Sequence, residues 1–148
     1  MNAYVDGLRM LARRELSEAQ VRQRLARREH APDEIDAAVE RLLAERAIDD
    51  ARVAAAMART QTAVKRRGKL RVIRQIEHAG VSPATARRAV DDVFESIDSD
   101  ALIEASLAKR LRGRETITDR SEFSRLYRYL IGQGFGADQV MRLLRGRS

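Results

Sequence analysis

The sequence contains no cysteine, two histidines and two prolines, and aromatic residues make up 4% of the chain. Without cysteine there are neither disulfides nor thiolate metal ligands. Two histidines complete a zinc site only with several carboxylates in support. We therefore expect no metal ion and no cofactor. The scarcity of proline leaves long stretches of the chain free to form helices.

Long apolar runs are also missing. No apolar stretch approaches the ~20 residues that a membrane-spanning helix needs. The N-terminal sequence MNAYVDGLRM lacks the basic-then-apolar order of a signal peptide. Together with the absence of cysteine, these features predict a soluble protein of the reducing cytoplasm without a membrane partner.

Catalytic motifs are absent as well. The chain has neither a G-x-S-x-G elbow nor a P-loop, and His30 and His78 fall near predicted helix ends. The segment GQGFG, residues 132–136, superficially resembles a phosphate-binding loop, but no predicted strand precedes it. Its alignment with other links in the chain predicts a turn between two helices. We expect no catalytic residues and no enzymatic activity.

Positive charge is what the chain has in excess, with a net charge of +7 and charged residues at 34%. No acidic residue lies between Asp50 and Glu77. Within that interval, the stretch from Lys65 to Arg74 holds six basic residues in ten positions. An acid-free basic segment of this kind favours a polyanionic partner.

The chain repeats itself three times. LARREHAPDEI, IEHAGVSPATA and LIGQGFGADQV align without a gap, so that Val21, Val72 and Leu126 coincide at spacings of 51 and 54 residues. Abundant Ala, Leu, Arg and Glu and an apolar period near 3.6 predict helices throughout. We therefore predict an all-α fold of three tandem three-helix repeats, covering residues 1–48, 49–97 and 98–148.

Helix starts and stops recur at matching places in the repeats. Ser17 with Gln20 forms a capping box, and Pro32 stands at the first position of the next helix. In the second repeat, Gly80 supplies a left-handed helix stop, followed by the helix start at Ser82 and Pro83. Gly134 takes the place of Gly80 in the third repeat. The first repeat has Glu29 there, which predicts a turn that closes less cleanly.

A unit of about 50 residues has a small core, so we expect neighbouring repeats to stack, to share apolar surface and to form an elongated, curved array. A compact nine-helix bundle is the alternative. In the second helix of the middle repeat, Leu70, Ile73 and Ile76 are predicted to point inward, and Arg71 and Arg74 to lie on an outer basic face.

Basic residues recur on the middle helix of every repeat. The candidate polyanion-binding residues are Lys65, Arg66, Arg67, Lys69, Arg71, Arg74, Arg24, Arg27, Arg28, Arg125 and Arg128. The last helix of the first repeat carries Asp33, Glu34, Asp36 and Glu40, which argues against its use as a recognition helix in the DNA major groove. The acid-free segment contains no aromatic residue, so stacking of bases is not expected there.

Three segments of the chain resemble the RecX family, the bacterial regulators of RecA recombinase. They are LARRELSEAQVRQRLARREHAPDEIDAAVERLLAERAIDDARVAAA (residues 11–56), GKLRVIRQIEHAGVS (68–82) and FSRLYRYLIGQGFGADQV (123–140). The sequence departs from the family pattern at Val53, where an aromatic residue is usual, and at Gln61, where arginine is expected.

The resemblance implies three tandem three-helix repeats, no enzymatic activity and binding along the groove of a RecA filament on single-stranded DNA. It further implies inhibition of strand exchange, of the ATPase and of the co-protease function, and thereby a role in DNA repair, recombination and the SOS response. The basic residues between Lys65 and Arg74 would then face DNA phosphates or acidic RecA surface. We expect a monomer, with single- or double-stranded DNA as a second partner.

Two alternatives from other classes stay open at this point. The chain could bind nucleic acid directly without a recombinase partner. It could also be a helical scaffold whose basic face only keeps it in solution. A salt titration tests the first alternative. Six phosphate contacts to a single strand give a slope of roughly −4 when log affinity is plotted against log salt concentration.

Overall fold

The computed structural model describes residues 2–148, which form nine α-helices and no β-strand. The helices are α1 (Ala3–Arg13), α2 (Glu18–Arg27), α3 (Pro32–Ala44), α4 (Asp50–Ala63), α5 (Lys69–His78), α6 (Pro83–Phe94), α7 (Ser99–Leu111), α8 (Arg120–Gly132) and α9 (Ala137–Arg145). The prediction of an all-α fold of three-helix repeats is confirmed. Within the described residues, no helix has both the length and the apolar character needed to cross a membrane.

Each repeat packs around a core of its own. Helices α1–α3 enclose one apolar cluster, α4–α6 a second and α7–α9 a third. The positions that the repeat alignment matched are buried in all three, namely Val21, Val72 and Leu126; Leu25, Ile76 and Leu130; and Val39, Val90 and Leu144. The shared apolar surface predicted from the sequence is not seen, because the three clusters are separate.

Local capping signals place the helix starts. Ser17 and Gln20 make the predicted capping box of α2, and Pro32 occupies the first turn of α3. The hydroxyl of Ser82 accepts a hydrogen bond from the amide of Thr85 at the start of α6. These side chains satisfy amide groups that the first turn of a helix leaves unpaired.

The turn that ends each middle helix has the same geometry in all three repeats. Glu29, Gly80 and Gly134 adopt left-handed conformations with φ of 66°, 92° and 102°. In every case the next amide, that of His30, Val81 or Phe135, donates to a carbonyl five residues earlier, at 3.2, 3.4 and 3.3 Å. The expectation that the first turn closes less cleanly was therefore wrong.

Glycine is needed in the second and third turns because another repeat lies against them. A Cβ atom on Gly80 would lie 2.5 Å from Cβ of Ala19 in α2, and a Cβ atom on Gly134 would lie 2.4 Å from Cβ of Arg71 in α5. Glu29, at the matching position of the first repeat, is exposed. A side chain therefore fits there.

The repeats join where the start of one middle helix meets the turn of the next repeat. At the first junction, the buried hydroxyl of Ser17 donates to the carbonyl oxygen of Ala79 at 2.5 Å. At the second, the amide of Gly68 donates to the carbonyl oxygen of Gln133 at 2.7 Å, and the amide of Leu70 donates to that of Gly134 at 3.1 Å. A side-chain-to-backbone hydrogen bond therefore holds the first junction, and two backbone hydrogen bonds hold the second.

The motif at residues 49–52 strengthens the first junction. Asp49 caps α4, whereas the carboxylate of Asp50 accepts a hydrogen bond from the amide of Glu18 at 2.9 Å. The guanidinium of Arg52 pairs with Glu15, with Nη2–Oε1 at 3.0 Å. Val53, where the resemblance led us to expect an aromatic residue, is buried in the second core. These contacts give the linking segment a structural role.

Candidate polyanion-binding surface

The structure distributes the predicted basic residues over several surfaces. Two of the six between Lys65 and Arg74 pair with other side chains of the protein. Nη1 of Arg67 donates to Oε1 of Gln61 at 2.8 Å, and Nζ of Lys69 lies 2.5 Å from Oδ1 of Asp91 in α6. The segment is acid-free in sequence, yet α6 supplies an acid in space. Lys69 therefore contributes less free charge than its position suggested, whereas Arg67 keeps its charge because Gln61 is neutral.

Arg71 and Arg74 lie on α5 and line an open cavity of about 590 Å³. Gln20 of α2, Gln61 of α4 and His78 line the same cavity, so it extends from the first repeat to the second. Nη1 of Arg71 donates to the carbonyl oxygen of Gly132 at 3.2 Å, which gives this arginine a role in the second junction. Arg74 is exposed.

The predicted inward row of α5 needs one correction. Leu70 is 51% exposed, whereas Val72 and Ile76 are buried and Ile73 packs partly against the core. At about 100° per residue, Val72, Ile73 and Ile76 fall within roughly 100° of one another around α5, and this face packs inward. Leu70 lies roughly 160° around the helix from Val72 and is therefore exposed.

Lys65 and Arg66 follow α4 and line a different cleft, of about 670 Å³, between the second and third repeats. On the other side of this cleft the sequence run AKRLRGR contributes four more cations, which are Lys109, Arg110, Arg112 and Arg114. These four were not among the predicted residues. Their signal was present in the sequence, but the run falls at the end of α7 and not on a middle helix.

Charge in this cleft is compensated at one position. Both guanidinium nitrogens of Arg114 donate to Glu122, with Nη1–Oε1 at 3.1 Å. This pairing, together with the amide of Thr118, lowers the pKa of Glu122 to about 2. Within residues 2–148, no acid lies in ion-pair range of the remaining five cations, which are Lys65, Arg66, Lys109, Arg110 and Arg112.

A second group of arginines surrounds the buried Met10 in the first repeat. Two cavities of about 230 and 220 Å³ there are lined by predicted arginines from α2 and the residue after it, namely Arg24, Arg27 and Arg28. From α1 and its end they are joined by three arginines that the sequence reading missed, Arg9, Arg13 and Arg14. The buried carboxylate of Asp6 pairs with Arg28 and lies 2.9 Å from Nε2 of His30. These contacts tie α1 to the α2–α3 turn.

Arg125 and Arg128 are exposed on α8 and line none of the cavities described above. The third repeat thus contributes its cations to the cleft through α7 instead of through its middle helix. In the described part of the chain, no three acidic or histidine side chains converge closely enough to hold a metal ion. The arrangement as a whole is suited to binding polyanions by charge.

Comparison with known proteins gives this surface a context. Residues 3–42 match the family model described as RecX, first three-helix domain. The chain is 33% identical to the Regulatory protein RecX of Halorhodospira halophila over 134 residues. This aligned region covers 90% of this chain and 80% of that protein. The chain belongs to the RecX family. The resemblance predicted from the sequence is therefore confirmed.

Other RecX proteins agree over almost the whole chain. The Regulatory protein RecX of Syntrophotalea carbinolica is 30% identical over 138 residues, covering 92% of this chain and 90% of that protein. A crystal structure of RecX from Lactobacillus salivarius superimposes with a TM-score of 0.78 at 18% identity and covers 97% of this chain and 93% of that one. This RecX structure shares the helical fold.

Proposed function

We propose that this RecX protein binds RecA filaments on single-stranded DNA and inhibits their recombinase, ATPase and co-protease activities. Relatives that carry the name Regulatory protein RecX support a regulatory role. The observation that carries the proposal is the group of five cations in the cleft between the second and third repeats that have no acidic partner among the described residues. Like charges held together are unfavourable for the free protein, and an acidic or phosphate-rich partner removes that cost.

The repeat architecture suits a filament as partner. A filament presents the same surface at regular intervals, and this chain presents related basic surfaces on successive repeats. Several weak contacts of this kind add up to strong binding when they engage together. In the proposed role the protein acts in the cytoplasm as a monomer and needs no catalytic step of its own.

The test is the single-strand-dependent ATP hydrolysis of the cognate RecA while this protein is titrated in. We expect inhibition well below one molecule per RecA, which would favour capping or propagated disassembly of filaments. No effect up to a stoichiometric excess would contradict the proposal.

A double variant, Lys65→Gln with Arg66→Gln, should shift the inhibition curve to higher protein concentration. The matched control is Arg87→Gln with Arg88→Gln, which removes the same charge from exposed positions on α6 that line none of the cavities described above. An equal shift in both double variants would mean that net charge acts and that the cleft does not.

Direct binding of nucleic acid without a recombinase is the second candidate, and the same unpaired cations support it. It predicts affinity for single-stranded DNA with a strong salt dependence and no effect on the RecA ATPase. An affinity for single-stranded DNA that does not change with salt concentration would rule out this second candidate. The two functions are thus separated by one binding and one kinetic measurement.

A further inference from the structure

The cleft between the second and third repeats contains an aromatic ring that the sequence reading did not place there. Tyr129 of α8 lines the cleft beside Lys65 and Arg66, although more than 60 residues separate them in sequence. The guanidinium of Arg110 lies over the Tyr129 ring, 3.6 Å from its centroid. The expectation that bases would not stack rested on the lack of an aromatic residue within the acid-free segment. The fold supplies one from another repeat.

A second arginine–tyrosine stack in the same chain shows what a structural stack looks like. Arg41 lies over the ring of Tyr4 at 3.7 Å, and Glu45 completes the group. The Tyr4 hydroxyl donates to Oε2 of Glu45 at 2.6 Å, and Nε of Arg41 donates to Oε1 at 3.0 Å. That stack is neutralised within the first repeat. The stack of Arg110 on Tyr129 has no acid of this kind among the described residues.

The charges around Tyr129 exceed what helix stability requires. Lys109 and Arg110 lie in the last turn of α7, where cations offset the partial negative charge of a helix C-terminus. This role does not extend to Lys65, which belongs to the α4–α5 connection. Arg66 and Arg112 hold left-handed conformations, with φ of 54° and 51°, which are unfavourable for a residue other than glycine. Both line the cleft.

We infer that this cleft binds a nucleotide unit of a single-stranded nucleic acid. The base stacks on the Arg110–Tyr129 pair, the phosphates on either side meet Lys65, Arg66 and Arg112, and the side-chain amide of Gln133 lies within the same cleft to meet a base edge. Stacking on aromatic rings and guanidinium planes is how proteins hold unpaired bases. A volume of about 670 Å³ lies in the range of about 300–1,000 Å³ typical of small-ligand sites.

A single strand fits this chemistry better than a duplex does. In a duplex the base faces are already stacked on one another, so that only the phosphates reach the cations. In an extended strand the base faces are free to meet Tyr129 or Arg110. The inference rests on the proposed function for the source of the strand, which is the one inside a RecA filament, and it adds the residues that touch it.

The test measures fluorescence anisotropy of a labelled oligothymidylate of about 15 nucleotides, near the upper end of the ~4–16 nucleotides that single-strand modules cover. Tyr129→Leu should weaken binding roughly 5- to 150-fold, the effect of losing one base–aromatic stack. Tyr129→Phe keeps the ring and should bind like the wild type. The matched control is Tyr4→Leu, which removes the ring from the neutralised stack and should leave strand binding unchanged.

Two further probes separate the base from the phosphate. An abasic strand of the same length and a duplex of the same sequence carry phosphates without free base faces. Tyr129→Leu should leave the binding of both of these probes unchanged. Arg110→Gln should weaken the binding of the oligothymidylate, the abasic strand and the duplex. If Tyr129→Leu and Tyr4→Leu bind the oligothymidylate equally well, the inference is wrong. If ATP displaces the strand at equal nucleotide concentration, the cleft takes free nucleotides and its assignment to a strand is overturned.

This experiment can fail independently of the proposed function. Strand binding that is insensitive to Tyr129→Leu, together with intact inhibition of the RecA ATPase, would overturn the cleft assignment alone. Strand binding that depends on Tyr129, together with no effect on the RecA ATPase, would overturn the regulatory proposal and leave the cleft assignment standing. Far-ultraviolet circular dichroism of each variant would show that the fold is intact.

Discussion

The residue that ends each middle helix illustrates how the same conformation has different costs in different repeats. Glu29 holds φ of 66° at an exposed position, whereas Gly80 holds φ of 92° against Ala19. A left-handed conformation costs a residue other than glycine roughly 1–2 kcal/mol. Glycine in turn loses about 0.5–1 kcal/mol of backbone freedom on folding. The balance at position 29 therefore favours glycine slightly.

We expect Glu29→Gly to raise the free energy of unfolding by up to about 1 kcal/mol, because it relieves the strained conformation. Gly80→Ala should lower the free energy of unfolding by more than about 1 kcal/mol for two reasons. The added Cβ would lie 2.5 Å from Cβ of Ala19, and alanine would have to adopt a left-handed backbone conformation. Urea denaturation monitored by circular dichroism measures both. Changes of the same sign in the two variants would contradict this account of the turn.

Single helices differ in how well local sequence predicts them. Ser17, Pro32 and Ser82 mark helix starts through interactions with residues at most four positions away in sequence. Helices begin at these positions in the structure. The inward orientation predicted for Leu70 was wrong because Leu70 lies roughly 160° around α5 from the buried Val72. Local signals mark where a helix begins, but they do not report contacts between repeats such as that of Gly68 with Gln133.

The candidate site was predicted in part for the same reason. Lys65 and Arg66 were found from charge alone, since a run of cations is visible in the sequence. Their partners in the cleft, Tyr129 and the cations of α7, come from the third repeat. The pairing of Lys69 with Asp91 also joins positions that are distant in sequence. Which cations stay unpaired is decided by packing between helices, and the sequence does not display it.

The connection from α7 to α8 should respond to acid. Arg114 and the amide of Thr118 donate to Glu122 and hold its pKa at about 2, below its ordinary value of 4.5. A depressed pKa means that the folded state prefers the charged carboxylate. The resulting stabilisation is present above about pH 4.5 and is lost as the pH falls towards 2.

The measurement is the thermal unfolding of the wild type and of Glu122→Gln between pH 6 and pH 2. We expect the wild type to be more stable at pH 6 and the two midpoints to converge as the pH approaches 2. Glu95→Gln, at an exposed position without an ion pair in the described part of the chain, serves as control and should follow the wild type. A constant difference between wild type and Glu122→Gln over the whole range would contradict this role.

The whole molecule consists of three small cores joined by narrow polar junctions. Among residues 2–148, no apolar cluster extends across a junction, and the second junction depends on the amides of Gly68 and Leu70. Stability in such arrays is close to a sum of repeat and junction contributions. The junction also sets the width of the nucleotide-binding cleft, because Lys65 and Arg66 lie on one side of it and α7 on the other.

Gly68→Ala tests this dependence. Gly68 has φ of −78°, so alanine is tolerated by the backbone there, but its Cβ would lie 2.4 Å from the carbonyl carbon of Gly134 and 2.5 Å from the amide nitrogen of Phe135. The second and third repeats must therefore separate. Losing two hydrogen bonds should lower the free energy of unfolding by roughly 1–3 kcal/mol. Hydrogen exchange at Gly68 and Leu70 should accelerate, while exchange inside α2 should not change.

Gly132→Ala is the matched control, because a Cβ atom there meets nothing within 4 Å. It should be neutral or stabilise the protein by up to about 1 kcal/mol. If the junction holds the cleft in shape, Gly68→Ala should also weaken binding of the oligothymidylate, although it removes no charge and no ring. Unchanged exchange at Gly68 and Leu70 in that variant would show that the repeats are held together elsewhere. The cleft would then owe its shape to the individual repeats and not to their junction.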